Sequence, residues 1–338
     1  MIGLQREICS PCNIFEENGK VMQAGWARTP VFIRNEEQSK SLSRHCEREV
    51  FFVNNSEVSL YLAVENYARE FAIKIAVADL LHGGVISDYV RKKTHFTRYT
   101  LPNGETGGRF DYEDKDIRFI LSDTVNGRLL QCAFSGFGGS HPFACKLTLR
   151  ADATESLNEI APFERNRKYF YFKQYDPGYT ALGTIKVGSR EYSLNENTTR
   201  AYLDKTHFFK PREHNYQRLS ADCTLGGKRF SLNLASRVGD NRYGNENCFF
   251  YGGKLEKLSQ ISIKGTQNRI DRPYYFRGGV TAVDIMFKPF TVQGKAMRAD
   301  MGSTTVVFGR LYGRINRVDY DKPLELDNAQ AHMIFSEF

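Results

Sequence analysis

The chain has 338 residues, of which 41% are hydrophobic and 25% are charged, so it is long enough to bury a sizeable core. Its formal net charge of +8 comes from basic residues that are interleaved with acidic ones, which indicates a solvated surface and predicts no nucleic-acid partner. No stretch approaches the ~18 apolar residues of a membrane span, so an integral membrane protein is not expected.

The cysteines number seven and are spread through the chain. An odd number, together with an N-terminus that lacks an apolar signal region, predicts reduced thiols and a cytoplasmic location. Cys9-Ser10-Pro11-Cys12 has the spacing of a zinc or redox pair. The neighbouring His45-Cys46 is poorly placed to complete a zinc site, and a turn, not a helix, follows Cys12. We expect no metal ion and leave the role of Cys9 and Cys12 open.

The first half of the chain predicts strands. Residues 50–93 fit a helix face as well as strands, but β-branched residues alternate with smaller ones over 72–79 and favour a strand. Between 95 and 150, short alternating runs are separated by turns such as Val125-Asn126-Gly127-Arg128. A polar segment near 151–158 marks a junction. We therefore expect one domain at 1–155 and a second at 156–338.

The second half opens with an aromatic strand at 168–172, which we expect to be buried on both faces, and a turn at Asp176-Pro177-Gly178. An antiparallel meander follows between 216 and 264. Its hairpins turn at Leu225-Gly226-Gly227-Lys228 and Tyr251-Gly252-Gly253-Lys254, because paired glycines take the positive φ angles of two-residue turns. Between these turns, apolar and polar residues alternate as in a half-buried strand.

Several short motifs in this chain resemble those of one family. They are Gly25-Trp26-Ala27-Arg28, Phe163-Glu164-Arg165-Asn166-Arg167-Lys168, Leu203-Asp204, Gly239-Asp240, Glu246-Asn247 and Gly252-x-Lys254-x-x-Lys257-Leu258. Together they resemble the domain-of-unknown-function family DUF2804. The resemblance implies an all-β fold of two lipocalin-like antiparallel β-barrels in tandem, distantly similar to carotenoid hydratase and AttH-like proteins.

A lipocalin-like barrel has an apolar interior that suits a lipophilic small molecule, and polar groups inside it must be hydrogen-bonded. A carboxylic acid kept protonated there can give a proton to a double bond while a second group orients water. The expected function is binding of such a molecule, and whether cofactor-free hydratase, isomerase or cyclase chemistry accompanies it is left open. No nucleotide fingerprint suggests a cofactor. The candidate catalytic residues are Asp204, Glu246 and His207, and the candidate ligand-binding residues are Asp240, Asn241, Asn247, His332 and Trp26.

The chain also departs from the family motifs. Family members follow the aspartate with Trp-Gly-Arg-Gly, whereas Asp204 precedes Lys205-Thr206-His207 here, and residues 331–338 lack the expected arginine, second histidine and tryptophan. One hypothesis is that His207 and His332 are replacement acid–base groups. The alternative is a structural or partner-binding protein with filled barrels, in which Glu246 pairs with Arg242 and the asparagines form turns. A cavity well below ~300 Å³ would exclude the ligand hypothesis. The sequence does not predict the oligomeric state.

Overall fold

The computed structural model describes residues 5–33, 45–67, 70–93, 101–102, 107–139, 141–152, 155–163, 166–209, 215–236, 244–266, 269–278, 283–317 and 322–337. Within these residues the regular elements are all β-strands, which confirms the all-β class. No helix there is long and apolar enough to cross a membrane.

The strands, in chain order, are β1 (Cys12–Asn13), β2 (Gly25–Ala27), β3 (Phe32–Ile33), β4 (His45–Asn54), β5 (Val58–Asn66), β6 (Glu70–Asp79), β7 (Val85–Lys93), β8 (Arg109–Glu113), β9 (Ile117–Thr124), β10 (Gly127–Phe137), β11 (His141–Ala151), β12 (Leu157–Phe163), β13 (Asn166–Val187), β14 (Arg190–Leu194), β15 (Arg200–Phe209), β16 (Asn215–Leu225), β17 (Lys228–Ser236), β18 (Cys248–Tyr251), β19 (Lys254–Lys257), β20 (Ile261–Lys264), β21 (Tyr274–Gly278), β22 (Val283–Pro289), β23 (Thr291–Val292), β24 (Lys295–Ala296), β25 (Arg298–Met301), β26 (Thr304–Ile315) and β27 (Leu324–Glu337).

The chain divides into two compact units, each assembled from separate stretches of sequence. Unit 1 comprises Met1–His45, Glu155–Tyr175 and Thr206–Phe338, and unit 2 comprises Cys46–Thr154 and Asp176–Lys205. The boundary between Thr154 and Glu155 lies beside the junction expected from the sequence. The division into consecutive domains at 1–155 and 156–338 stays a prediction.

Unit 2 is a curled sheet around one apolar core. Its strands follow the order β7-β6-β5-β4-β15-β13-β11-β10-β9-β8. The two ends of this order meet, because Phe71 of β6 packs edge-on against Phe110 of β8 at 5.4 Å and Lys92 of β7 pairs with Asp114 at 2.5 Å. The ambiguous residues 72–79 lie in β6, so the strand prediction is confirmed there.

The sheet of unit 1 follows the order β19-β18-β17-β16-β27-β26-β22-β21-β20. β19 and β20 lie at opposite ends of this order, yet residues 258–260 alone join them, so the sheet must curl to bring its ends together. The turns between β16 and β17 and between β18 and β19 confirm the predicted glycine hairpins. Gly226 and Gly227 have φ of 54° and 76°, and Gly252 and Gly253 have φ of 58° and 82°.

Strand β17 is buried on both faces over residues 230–235, so the half-buried prediction is wrong for it. Leu232 and Leu234 of β17 point into the apolar core of unit 1. Asn233, on the other face, is also fully buried, because Lys173 of β13 contacts it at 3.3 Å. Tyr175 of β13 packs on Phe250 of β18 in the same layer, with ring centroids 6.0 Å apart. Strand β13 thus covers the second face of the unit 1 sheet.

The predicted turn at Asp176-Pro177-Gly178 is also wrong, because these residues lie inside the long strand β13. They fall where β13 changes partner. Tyr175 is the last residue paired with β12, and Tyr179 is the first paired with β11. Proline lacks a backbone N–H donor, so it is tolerated at a point where neither of these ladders needs one.

Two glycines of unit 2 have similar positive φ angles but differ in the space available for a side chain. Gly183 has φ of 139° and Gly84 has φ of 133°. A Cβ on Gly183 would overlap the carbonyl oxygen of Lys146 in β11, whereas a Cβ on Gly84 meets nothing within 4 Å.

Gly84→Ala should lose about 1–3 kcal/mol of unfolding free energy from strain alone. Gly183→Ala should lose about a further 1–3 kcal/mol from overpacking. Urea unfolding of both variants measures the difference, and equal losses would contradict it.

Candidate functional site

Glu246 is the centre of a buried polar cluster in unit 1. It lies just before β18, and its carboxylate forms an ion pair with Lys173. The Tyr171 hydroxyl donates to the same carboxylate, and the Asn233 amide donates to it at 3.2 Å. We call this group the Glu246 cluster; it comprises Tyr171, Lys173, Tyr216, Arg218, Asn233 and Glu246.

Strand periodicity places these side chains together. Tyr171 and Lys173 are two residues apart on β13, and Tyr216 and Arg218 are two residues apart on β16, so each pair shares a face. The intervening positions, such as Leu219 of β16, face the apolar core. The cluster therefore lies on the face of the unit 1 sheet opposite that core.

The charges in the cluster shift one another's ionisation. Burial opposes ionisation of Glu246, but the charges of Lys173 and Arg218 outweigh it and hold the pKa of this carboxyl below its ordinary value. Burial also lowers the pKa of Lys173 to about 7; Glu246 opposes this shift and Arg218 adds to it. Lys173 therefore titrates near neutral pH although its side chain is fully buried.

A second buried carboxyl group, Glu159 of β12, behaves oppositely. Burial raises its pKa; the nearby Lys257 partly offsets this, and the negative charge of Glu246 adds to it. The Lys257 Nζ lies 3.6 Å from Glu159 Oε2. That oxygen has no hydrogen-bond partner among the described residues. The two carboxyl groups thus differ, since their surroundings lower the pKa of Glu246 and raise the pKa of Glu159.

Residues from distant motifs meet around these carboxyl groups. Trp26 of β2 lies opposite Glu159 of β12 in the strand register and is buried. Lys257 donates to the carbonyl oxygen of Asn247 at 3.3 Å. Asn247 itself accepts from the Ala235 backbone N–H at 2.8 Å and donates to the Ser259 carbonyl at 3.3 Å. Asn247 therefore ties the segment before β18 to its neighbours.

The remaining candidate residues lie in different places. Asp204 and His207 are buried in β15, three positions apart, so strand alternation points them to opposite faces. His207 packs edge-on against Phe170 at 5.2 Å. His332 of β27 is buried opposite Ser220 of β16. Burial and the charge of Arg218 lower the pKa of His332 well below its ordinary value, so it is neutral. Asp240, Asn241 and Arg242 lie outside the described residues.

The sequence analysis did not identify Lys173 or Glu159. Lys173 follows directly after the aromatic run 168–172, whose predicted burial on both faces is confirmed for Phe170, Tyr171 and Phe172. A lysine in such a strand requires an anionic partner, because an isolated buried charge is very costly. That requirement is the signal in the sequence that could have identified Lys173 as a site residue. The partner itself is 73 residues away in sequence, and no local pattern identifies it.

Unit 2 contains a cavity of about 440 Å³ between the turn joining β6 to β7 and the turn joining β13 to β14. Its inner wall includes Val77, Ile86 and Val187, which belong to or pack against the apolar core of unit 2. Arg190 and His141 line its outer part and are exposed. None of the cavity residues was a candidate from the sequence. The volume exceeds the ~300 Å³ below which a ligand pocket is not expected.

Asp79, at the end of β6, is the acidic side chain of this cavity, and it is saturated with donors. Its carboxylate accepts from the backbone N–H groups of Leu81 and His82 at 3.1 and 2.9 Å. The His82 ring lies 3.0 Å away, and Arg190 forms an ion pair with the carboxylate. Burial opposes ionisation, but bonds from His82 and Tyr192 outweigh it and lower the pKa of Asp79.

Metal-binding geometry is not seen in the described part of the chain, where no group of three or more His, Cys, Asp and Glu side chains converges. Cys9 is an exposed free thiol and Cys12 is partly buried and also free.

Comparisons with known proteins agree on fold. The family model described as Domain of unknown function (DUF2804) matches residues 5–332. No curated protein is similar enough in sequence to match. Kievitone hydratase from Nectria haematococca has a similar structure, with a TM-score of 0.55 and 8% identity over 96% of this chain and 98% of that one. A protein assigned as AttH from Nitrosomonas europaea has a TM-score of 0.53 and 11% identity over 86% and 92%. CghA, in a structure with Sch210972, has a TM-score of 0.50 and 8% sequence identity over 96% of each chain. These neighbours are lipocalin-like, which confirms the expected fold.

The lowered pKa of Lys173 predicts a pH-dependent stability. The unfolded lysine keeps its proton up to about pH 10.5 and the folded one loses it near 7. The unfolded state therefore binds more protons between these values, and the Lys173 contribution to unfolding free energy rises with pH there. Wild-type stability, relative to the double variant Lys173→Met/Glu246→Gln, should rise by up to about 1.4 kcal/mol per pH unit above pH 7. Urea unfolding at pH 7.5, 8.5 and 9.5 measures this, and parallel profiles would contradict it.

Proposed function

This chain belongs to the DUF2804 family and has a lipocalin-like fold, and on that basis we propose that it binds a lipophilic small molecule in the cavity of unit 2. The observation that carries the proposal is the cavity of about 440 Å³, whose inner wall is apolar. Small-molecule sites typically combine apolar walls with a few polar groups and have volumes of about 300–1,000 Å³. The cavity meets both conditions.

The cavity walls supply the binding energy that this proposal requires. Burial of apolar ligand surface stabilises a complex by roughly 25 cal/mol per Å². Val77 and Val187 present such surface because they continue the core of the unit into the cavity. The glycines at 83 and 84 add no side chain, so the turn that contains them leaves the space open. The alternative, a structural protein with filled barrels, does not require an opening of this volume between the two turns.

We propose acid–base chemistry at the Glu246 cluster as a second candidate function. The observation that favours it is the opposite pKa directions of Glu246 and Glu159. Environments that push the pKa values of two neighbouring groups apart are typical of acid–base pairs in active sites. A structural neighbour is a hydratase by name, kievitone hydratase.

The roles in such a reaction follow from the protonation states. Hydration of a double bond needs an acid that gives a proton to one carbon and a base that takes a proton from the attacking water. Glu159, whose pKa is raised by burial, is the acid in this proposal. The ionised Glu246 is the base, and it passes the proton taken from water to Lys173, whose pKa is about 7. Lys173 then releases a proton to solvent and Glu159 takes one up from solvent, which restores both groups for the next turnover. Isomerisation uses the same groups, with proton removal from a neighbouring carbon instead of from water.

Filling the cavity should prevent binding. Val85 lines the cavity and is partly exposed, so Val85→Trp can enter it without displacing the packed core. Wild-type protein should carry a stoichiometric lipophilic adduct in native mass spectrometry, either as purified or after incubation with decan-1-ol. Val85→Trp should lose it.

Val125→Trp is the matched control, because Val125 is 84% exposed in the turn between β9 and β10 and lies outside the cavity. It should keep the adduct. Absence of any adduct on the wild type, or an adduct on Val85→Trp equal to that of the control, would refute binding in this cavity.

Proton exchange with carbon tests the second candidate. In D₂O the wild type should transfer deuterium into a lipophilic enone, 3-nonen-2-one, faster than buffer does. Glu246→Gln should slow this by about 100-fold or more, because general acid–base groups contribute at least that much. Mass spectrometry of the recovered enone measures it.

Glu65→Gln is the control, since Glu65 is an equally buried carboxylate that pairs with Lys74 at 2.8 Å and accepts from Tyr67 at 2.8 Å. It should exchange like the wild type if it folds. Unchanged exchange in Glu246→Gln, or equal loss in both variants, would assign Glu246 a structural role only.

A further inference from the structure

We propose that the ligand of the unit 2 cavity carries a carboxylate at one end of a lipophilic body. This inference rests on the proposed binding function and adds the chemical class of the ligand. Its basis is the arrangement of the cavity, in which the apolar residues lie inside and the hydrogen-bond donors Arg190 and His141 lie at the outer edge.

The inner part of the cavity offers a ligand no charge to pair with. Val77 and Val187 are nearly inaccessible members of the unit 2 core, and Ile86 packs against that core. A charged group placed among them would lose its hydration without gaining a partner, which is costly. The charged end of an amphipathic ligand must therefore remain at the outer edge.

Asp79 does not make that outer edge repel anions. Two backbone N–H groups, the His82 ring, the Tyr192 hydroxyl and Arg190 all donate to its carboxylate. A carboxylate has room for about four such bonds, so its acceptor capacity is used. It neither competes for a donor on the ligand nor presents an open negative face.

Arg190, by contrast, retains unused donors. Its guanidinium carries five N–H donors, and Asp79 and Tyr192 engage only part of them. The side chain is 54% exposed, so its remaining donors are accessible to a ligand at the opening. A guanidinium matches the geometry of a carboxylate in a two-bond arrangement. Asp79 also fixes its position, which reduces the entropy lost on binding.

His141 also lines the cavity. Its ring covers the turn between β13 and β14, because a Cβ on Gly188 would lie 3.5 Å from the His141 Nδ1. The ring nitrogens can donate a further hydrogen bond to an oxygen held by Arg190. Among the residues that line the cavity, Arg190 and His141 are thus the donors from two different hairpins that reach the same opening.

The test compares decanoate with decan-1-ol at pH 8 by isothermal titration calorimetry, because the two differ in the head group alone. Wild-type protein should bind decanoate at least about tenfold more tightly, as expected for charge-assisted hydrogen bonds. Arg190→Gln should bring the two affinities within about twofold of each other while decan-1-ol binding persists. Arg190→Lys, which keeps the charge but not the planar fork, should retain part of the preference.

Arg150→Gln is the matched control. Arg150 is an arginine of similar exposure that pairs with Glu196 at 2.8 Å outside the cavity, and its loss should leave the preference unchanged. Thermal denaturation of each variant shows that it is folded. Equal wild-type affinities for the two probes would overturn the carboxylate inference and leave lipophile binding standing. Binding of neither probe would overturn both.

Discussion

The structure of unit 1 depends on the burial of the Glu246 carboxylate. Glu246 is almost completely inaccessible, and removing a carboxylate from water is tolerated only if partners replace its hydration. Lys173, Tyr171 and Asn233 do so from two strands, β13 and β17. This requirement fixes which residues of β13 face the sheet, because moving the strand by one position would turn Lys173 away and bring an aromatic side chain against the carboxylate. The ion pair therefore specifies register, a role that its net energy alone would not justify.

A similar buried ion pair occurs in unit 2. Comparing the two pairs distinguishes a structural role from a catalytic one. Glu65 of β5 pairs with Lys74 of β6, accepts from Tyr67, and has a pKa lowered by Lys74 and Arg48 against the opposing effect of burial. In each unit, therefore, a buried carboxylate with lysine, arginine and tyrosine partners lies on the face of the curled sheet opposite the apolar core. In unit 1, however, a second carboxyl, Glu159, is electrostatically coupled to the first and is shifted in the opposite direction. That pairing is what points to proton transfer.

The sequence predicts those features that depend on neighbouring residues. Paired glycines specify the turns at 226–227 and 252–253, and alternation specifies the core face of β17, because both follow from local backbone geometry. Prediction from the sequence fails where the structure of a segment depends on residues that are distant in the chain. The second face of β17 is buried only because β13 covers it, and Pro177 is accommodated in a strand only because β13 exchanges β12 for β11 at that point. Glu246 was recognisable from its motif, but its lysine was not, and the cavity is formed by turns from separate hairpins.

The two candidate sites are also encoded in different ways. Arg28, Lys254, Lys257 and Asn247 belong to the motifs that resemble the family, and all four stabilise the region around Glu246 or the adjacent β12 segment, for example through the pairs of Arg28 and Lys254 with Glu155. The cavity residues Val77, Asp79 and Arg190 lie outside every one of those motifs. Family membership is therefore informative about the fold and the Glu246 cluster but not about the ligand. In the proposal made above, the head group of the ligand is selected by Arg190 and His141, which are exposed and lie outside the core of unit 2, so they can change without altering the fold.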